Sequence, residues 1–191
     1  MDSRKDSFSL KSICLVTGAS KGYGQTVAVR FSELLPTGSV MIIVARNEAG
    51  LQKTKQQIEK LCCDKTVRLT VMDLSSASRV DYERMLKETL KDVQLSNFEQ
   101  CIAIHNAGSL GDISVGLSSQ TEDDSLQRYW KLNLTSFTVL NAVWHQFFRG
   151  VALKQRVVVG ISSICALQPF KSWGIYCAGV YILQKLSSLN H

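Results

Sequence analysis

Two periodicities alternate along the chain. Short, almost wholly apolar runs lie at Ile13–Thr17, Val40–Ala45, Val67–Met72, Cys101–Ile104 and Val157–Ile161. They lack strict alternation, as expected of strands covered on both faces. Between them come longer stretches with helical spacing. Gly22–Leu35 carries Val27, Ala28, Phe31 and Leu34 on one face and is closed by Pro36-Thr-Gly38. Glu48–Cys62 is charged and amphipathic, and Ser78–Leu90 turns Val80, Met85, Leu86 and Leu90 inward. A Gly/Ser-rich loop over Gly108–Ser119 precedes a long helix over Asp124–Phe148, and a loop containing Pro169 precedes a last one over Trp173–Leu186. Strands alternating with helices predict an α/β fold, a doubly wound parallel sheet. Right-handed crossovers then give the strand order 3-2-1-4-5, with ligand at the carboxyl ends of strands one and four, where the winding reverses.

Composition narrows the class. The 191 residues are enough for one domain, read as a single unit over 1–191, and 45% apolar with 20% charged residues excludes fibrous and disordered chains. The net charge of +6 is spread along the chain without a basic stripe, so no nucleic-acid partner is expected. The N-terminus has no apolar signal region, and no apolar run approaches the roughly 18 residues of a membrane span. A cytoplasmic protein without membrane association is therefore expected. The six cysteines show neither CxxC nor Cys/His spacing and read as free thiols, with no metal site.

Candidate chemistry collects at strand ends. After the first strand comes Thr17-Gly18-Ala-Ser20-Lys21-Gly22-Tyr23-Gly24, where glycines let backbone approach a diphosphate and the following helix offers its N-terminus. The same segment is also compatible with a tight turn that binds nothing. At the end of strand two stands Arg46, where NAD-binding folds often carry an acid. Arg46 and Lys21 would pair with a 2′-phosphate, which favours NADP(H) over NAD. Asp73 could accept from an adenine amino group or cap the next turn. Near strand five, Ser162-Ser163 is followed by Tyr176, a hydroxyl and a phenol that could meet at a substrate carbonyl.

Taken in order, TGxxxGxG at Thr17–Gly24, Asn106-Ala107-Gly108 after strand four, Asn133 in the long helix and Ser163 with Tyr176 resemble the short-chain dehydrogenase/reductase family. Within it, the stretches at Asn106–Asp112, Asn133–Ser136 and Cys165–Gly179 are similar to the branch that reduces pterin side-chain ketones in tetrahydrobiopterin synthesis. The resemblance covers Ser12 to Gly179. It implies a Rossmann-like fold and an NADPH-dependent carbonyl reductase with a small pterin carbonyl substrate. By this likeness the catalytic residues are Tyr176, which protonates the developing alkoxide, Ser163, which holds the carbonyl oxygen, and Asn133 in a proton relay. The cofactor positions are Gly18, Ser20, Lys21, Gly22, Tyr23, Gly24, Arg46, Asn47, Asp73, Leu74, Asn106, Ala107 and Gly108. Ser163, Tyr176 and Cys177 are the substrate positions. His105 stands where the family commonly has Asn and reads as a packed imidazole. The helices over Asp124–Phe148 and Trp173–Leu186 resemble those of the family's dimer interface, so a homodimer or a mixed dimer is conceivable.

One departure is chemical. The family's Tyr-x-x-x-Lys motif calls for lysine at position 180, where the sequence has Val180. An ammonium four residues on shares the phenol's helix face and lowers its pKa. Lys185 falls on the opposite face, and Lys171, in the preceding loop, stays open as a substitute. From Val180 to His191 the family pattern is no longer followed, and the chain stops before a sixth and seventh strand. That leaves Val157–Ile161 as an exposed apolar edge, which Val180, Leu183, Leu186 and Leu189 could partly cap. Impaired catalysis is the resulting expectation. The alternative is a non-catalytic truncated variant that retains dinucleotide binding or pairs with a full-length partner.

Overall fold

A computed structural model of the chain describes residues 8–114 and 123–188. Five parallel strands, β1 (Ser12–Thr17), β2 (Val40–Ala45), β3 (Thr66–Val71), β4 (Gln100–His105) and β5 (Gln155–Gly160), form one sheet in the order β3-β2-β1-β4-β5. This is the expected doubly wound order. Every residue of β1, β2 and β4 is buried. Alternate side chains of these strands point to opposite faces, and both faces meet helices.

On one face Ile13, Leu15, Ile42 and Val44 pack against Tyr82 and Leu86 of α3 (Arg79–Thr89) and against Leu140 and Trp144 of α5 (Ser136–Phe147). On the other, Cys14, Val16, Met41 and Ile43 pack against Ala28 of α1 (Gly22–Leu34) and against Leu51 and Ile58 of α2 (Glu48–Leu61). Apolar residues are needed at every position of such strands, which is why their sequences do not alternate. The amino-terminal edge of the sheet is closed by its own polar residues. Ser12 Oγ donates to Gln100 Oε1 at 2.8 Å, and Gln100 Nε2 donates to Gln155 Oε1. No such ladder closes the carboxyl edge among the described residues, and the clefts described below open there.

Three details differ from the sequence reading. Leu34 is 52% exposed, whereas Leu35, just past the end of α1, is 3% exposed, because the chain leaves the helix at that point in extended conformation. Val80 is exposed, and Tyr82 joins Met85 and Leu86 on the inward face of α3. The long helix is three pieces: α4 (Asp123–Trp130), a π-helical segment (Lys131–Thr135) and α5. Such wide turns inside helices are frequent at functional sites, and this one contains Asn133. Leu189, residues 115–119 of the Gly/Ser-rich loop and residues 120–122 lie outside the described residues.

β5 is one of the two outer strands and is half-buried, with its Val157 and Val159 and the following Ile161 packed onto the α1/α2 core. Helix α6 (Gly174–Ser188) lies against β5 and buries Val180 and Leu183. No helix among the described residues is long and apolar enough to cross a membrane.

The shift of one residue at the end of α1 predicts unequal mutational costs. In denaturant unfolding, Leu35→Ala should lose about 3 kcal/mol, as buried leucine truncations do, and Leu34→Ala less than about 0.5 kcal/mol. Equal losses would contradict the packing described.

Candidate functional site

The site begins where β1 and β4 end side by side. Backbone N–H groups of Asn106 and Ala107 both donate to Thr17 Oγ1 at 3.0 Å, and Asn106 Nδ2 donates to the Thr17 carbonyl at 3.1 Å. One threonine side chain thus ties the chain leaving β4 to the glycine loop leaving β1. Gly18 turns the chain with φ +68°, and its N–H donates to the Val44 carbonyl. A Cβ at Gly24 would lie 2.2 Å from Asn106 Nδ2 and 2.3 Å from the Gly18 carbonyl oxygen, so only glycine fits there. From the other side, Thr54 Oγ1 of α2 donates to the Ala19 carbonyl at 2.8 Å. α1 starts directly from this loop, with Lys21 at its cap position, no side-chain cap and no acidic residue in the first turn. Its amino end therefore presents uncompensated positive potential to the space above the loop.

That space is a cleft of about 390 Å³ lined by every predicted cofactor residue except Asn47. Asn47 is occupied elsewhere: its side chain accepts from the Gly50 N–H at 2.8 Å and caps α2. Ala45, Met72 and Leu132 also line the cleft. They were missed because apolar residues at strand ends and on helices look like ordinary core. Arg46 is exposed at the rim, its guanidinium 4.0 Å from the Asp73 carboxylate. Asp73 Oδ1 accepts from both the N–H and the hydroxyl of Ser75, which hold its carboxyl below the usual range, and Arg46 adds to this. Capping the turn thus occupies one oxygen of Asp73, and the other faces Arg46.

A second cleft, of about 340 Å³, adjoins the first, and Tyr23, Asn106, Ala107 and Gly108 line both. Tyr176, Asn133, Ser162, His105, Phe137 and Val180 are among its walls. The structure thus brings Tyr176 and Asn133 together. Asn133 Oδ1 accepts from the Ser109 N–H at 2.9 Å and its Nδ2 donates to the Tyr129 carbonyl at 3.0 Å, so its amide locks the loop after β4 onto α4. Ser163 is not among the lining residues. Its hydroxyl accepts from the Cys165 N–H at 3.2 Å and caps the short turn Ile164–Ala166, and Ser162 faces the cleft instead. Cys177 likewise packs with Cys165, Ala166 and Val180 and does not line the cleft.

His105 is 6% exposed, stands edge-on to Phe137 at 4.7 Å, and has no hydrogen-bond partner at Nε2 among the described residues. Burial pushes its imidazole down to about 4, so it is neutral near pH 7 and packs as a hydrophobe. Val180 is buried where the family pattern has its cation. Lys171 is exposed in the loop, and Lys185 Nζ lies over the Tyr181 ring at 5.4 Å. Sequence reasoning passed over Tyr129, which lines the second cleft and is buried to 9% exposure.

Two measurements test this geometry. Thr17→Val should strand the Asn106 and Ala107 N–H groups and lose roughly 2–4 kcal/mol in chemical unfolding, and Thr17→Ser should recover most of it. The imidazole of His105 is neutral when folded and has its ordinary pKa when unfolded, so the unfolded chain binds the extra proton. The stability this gives is complete above pH 6.5 and is lost as pH falls toward 4. Melting curves of the native chain should show a loss of a few kcal/mol across that window, and His105→Leu should flatten that part of the slope.

Residues 12–188 match the short chain dehydrogenase family. The chain is 36% identical over 167 residues to sepiapterin reductase of Mus musculus and 37% identical over 170 residues to that of Rattus norvegicus, matching 87% of this chain in each case. It spans 63% of the length of each of these relatives. Among solved structures, a short chain dehydrogenase from Escherichia coli CFT073 superposes with a TM-score of 0.79 at 22% identity, covering 97% of this chain and 75% of that one. A relative from Shigella flexneri 2a, complexed with NADP, gives 0.78 at 22% identity over 94% of this chain and 70% of that one. With the sheet order, the glycine loop and the Asn106-Ala107-Gly108 junction in place, the chain belongs to the short-chain dehydrogenase family.

Proposed function

We propose that the protein is an NADPH-dependent carbonyl reductase acting on the side-chain ketone of a pterin, a reading that its sepiapterin reductase relatives support. The observation that carries it is the continuity of the two clefts. The glycine-loop cleft, with its positive helix end and Arg46 at the rim, runs through Asn106–Gly108 into the cleft lined by Tyr176 and Asn133. The cradle fits a dinucleotide, because backbone at Gly18 and Gly24 leaves no room for side chains and the chain offers cations where a phosphate would lie. NADPH, when bound, supplies hydride to the carbonyl carbon.

The remaining chemistry belongs to the protein. Lys21 and Arg46 would bind a 2′-phosphate, and the Asp73 carboxylate lies 4.0 Å from the Arg46 guanidinium at the rim. Tyr176 donates its phenolic proton to the carbonyl oxygen as negative charge grows there, and the proton is later restored from solvent. The adjacent hydroxyls orient that oxygen. Ser163 takes this role by family likeness, and Ser162 is the one on the cleft wall. Asn133 keeps the loop after β4 and helix α4 in register around the site. Position 180 gives the phenol no ammonium, so proton transfer here is slower than in a lysine-bearing relative.

In this reading residues 1–191 act as one dinucleotide-binding unit in the cytosol. The helices α4–α5 and α6 offer faces for a homodimer or a mixed dimer, and Tyr181 and Ile182 of α6 are exposed for it.

NADPH should be bound with a blue shift and enhancement of its fluorescence. Arg46→Glu should weaken it at least about tenfold and leave NADH within about threefold, as expected when a charge-assisted phosphate contact is removed. With sepiapterin as the probe substrate, Tyr176→Phe should lower kcat by about 10²–10⁴-fold, and Val180→Lys should raise it. Undiminished turnover in Tyr176→Phe would overturn the assignment of the proton donor.

A further inference from the structure

Tyr129 has no part in the chemistry above, yet its surroundings single it out. It lies on α4, one helical turn before Asn133, with its side chain buried and its hydroxyl unpartnered among the described residues. A Cβ at Gly179 would lie 3.3 Å from the Tyr129 oxygen. Gly179 follows Tyr176 by three residues and precedes Val180, so the Tyr129 hydroxyl sits against the face of α6 that carries both. All four residues line the same cleft. An aromatic ring alone would fill the space. The hydroxyl adds only the cost of a buried donor without a partner, and it lies against Gly179 in the cleft that Tyr176 also lines.

The charge state agrees with this placement. Burial raises the Tyr129 phenol well above its ordinary value, and Tyr176 and Cys177 raise it further, so Tyr129 keeps its proton when its neighbour gives one up. Among the described residues, the other titratable side chains that line this cleft or pack with Tyr176 are Tyr23 from α1, Cys177 on its own helix, Cys165 from the turn after β5, and His105 from β4, which is neutral near pH 7.

We propose that Tyr129 is a positioning residue for Tyr176: its hydroxyl donates a hydrogen bond to the Tyr176 oxygen as that oxygen loses its proton. It thereby supplies from α4 part of the stabilisation that Val180 does not supply from α6. The proton delivered to the substrate comes from Tyr176, and Tyr129 retains its own. In the resting arrangement the bond is not made, as is common for catalytic contacts before substrate binds. The inference rests on Tyr176 being the proton donor.

The test uses the full chain with ring-¹³C tyrosine, in which the Tyr176 signal among five tyrosines is assigned from Tyr176→Phe. In Tyr129→Phe the Tyr176 phenol should titrate about one pH unit higher, a tenfold loss of ionisation, as expected when a hydrogen bond to a charged oxygen is lost. The melting temperature should be unchanged or higher, and kcat with sepiapterin and NADPH should fall about tenfold with KM within about twofold. Replacing Tyr129 by 3-fluorotyrosine, a stronger donor of nearly the same shape, should move the Tyr176 titration the other way. An unmoved Tyr176 titration in both variants overturns the proposal, even if kcat falls, because a packing defect alone would do that. The titration needs no turnover. Loss of the Tyr176 assignment would therefore show separately, as full activity in Tyr176→Phe.

Discussion

Two strands that are adjacent in space but separated by most of a hundred residues leave the sheet at the same point, and Thr17 joins them. Its hydroxyl accepts from two successive N–H groups after β4, and its carbonyl accepts from the Asn106 side chain. These groups sit at the reversal of winding, where helices from opposite faces diverge and the backbone has fewest neighbours. Without the threonine hydroxyl, the bond from the Asn106 side chain to the residue-17 carbonyl would remain, but the two N–H groups after β4 would lose their acceptor. With it, Gly24 can approach both Asn106 and Gly18 closely, and both clefts share a wall.

The two clefts divide the electrostatic work. The first has the amino end of α1, Lys21 and Arg46, and it suits phosphates. The second is nearly without charge: His105 is neutral, Val180 is apolar, and Phe137 and Leu183 complete the wall. In the proposed reaction, a developing alkoxide there finds hydroxyls and amides in place of cations. In a poorly solvated space, hydrogen bonds to an ionising oxygen are worth more than in water, so the placement of each hydroxyl matters more than it would beside a lysine.

Most of the fold was legible because buried parallel strands must be apolar at every position and their helices must be amphipathic. The cofactor cleft was legible for a similar reason, since close backbone approach demands glycine and leaves a spaced pattern. What escaped depended on geometry within one residue. Leu34 and Leu35 differ in burial because the helix ends between them, and no periodicity marks that end. Ser162 and Ser163 are adjacent and chemically identical, and which one faces the cleft is decided by the turn that Ser163 caps. Asn47 had the position of a cofactor ligand and the chemistry of a helix cap, and the cap accounts for its side chain. Tyr129 was invisible for a different reason: its contact is across elements, from α4 to the glycine on α6, and nothing in the local sequence records it.

The same glycine links the departure at position 180 to the architecture. A valine four residues after Tyr176 buries itself with Cys165 and Ala166 and ties α6 to the turn behind β5. Val180 also lines the second cleft, so a lysine at this position would border the same space as the phenol. Valine at this position makes a packing contact, and Tyr176 is held by its own helix and by Trp173, whose ring stands edge-on to it at 6.0 Å. Family membership survives the substitution. In the proposed reaction, the rate of proton transfer then depends on the neutral donors left around the phenol, and among the described residues the buried one packed against its helix face is Tyr129.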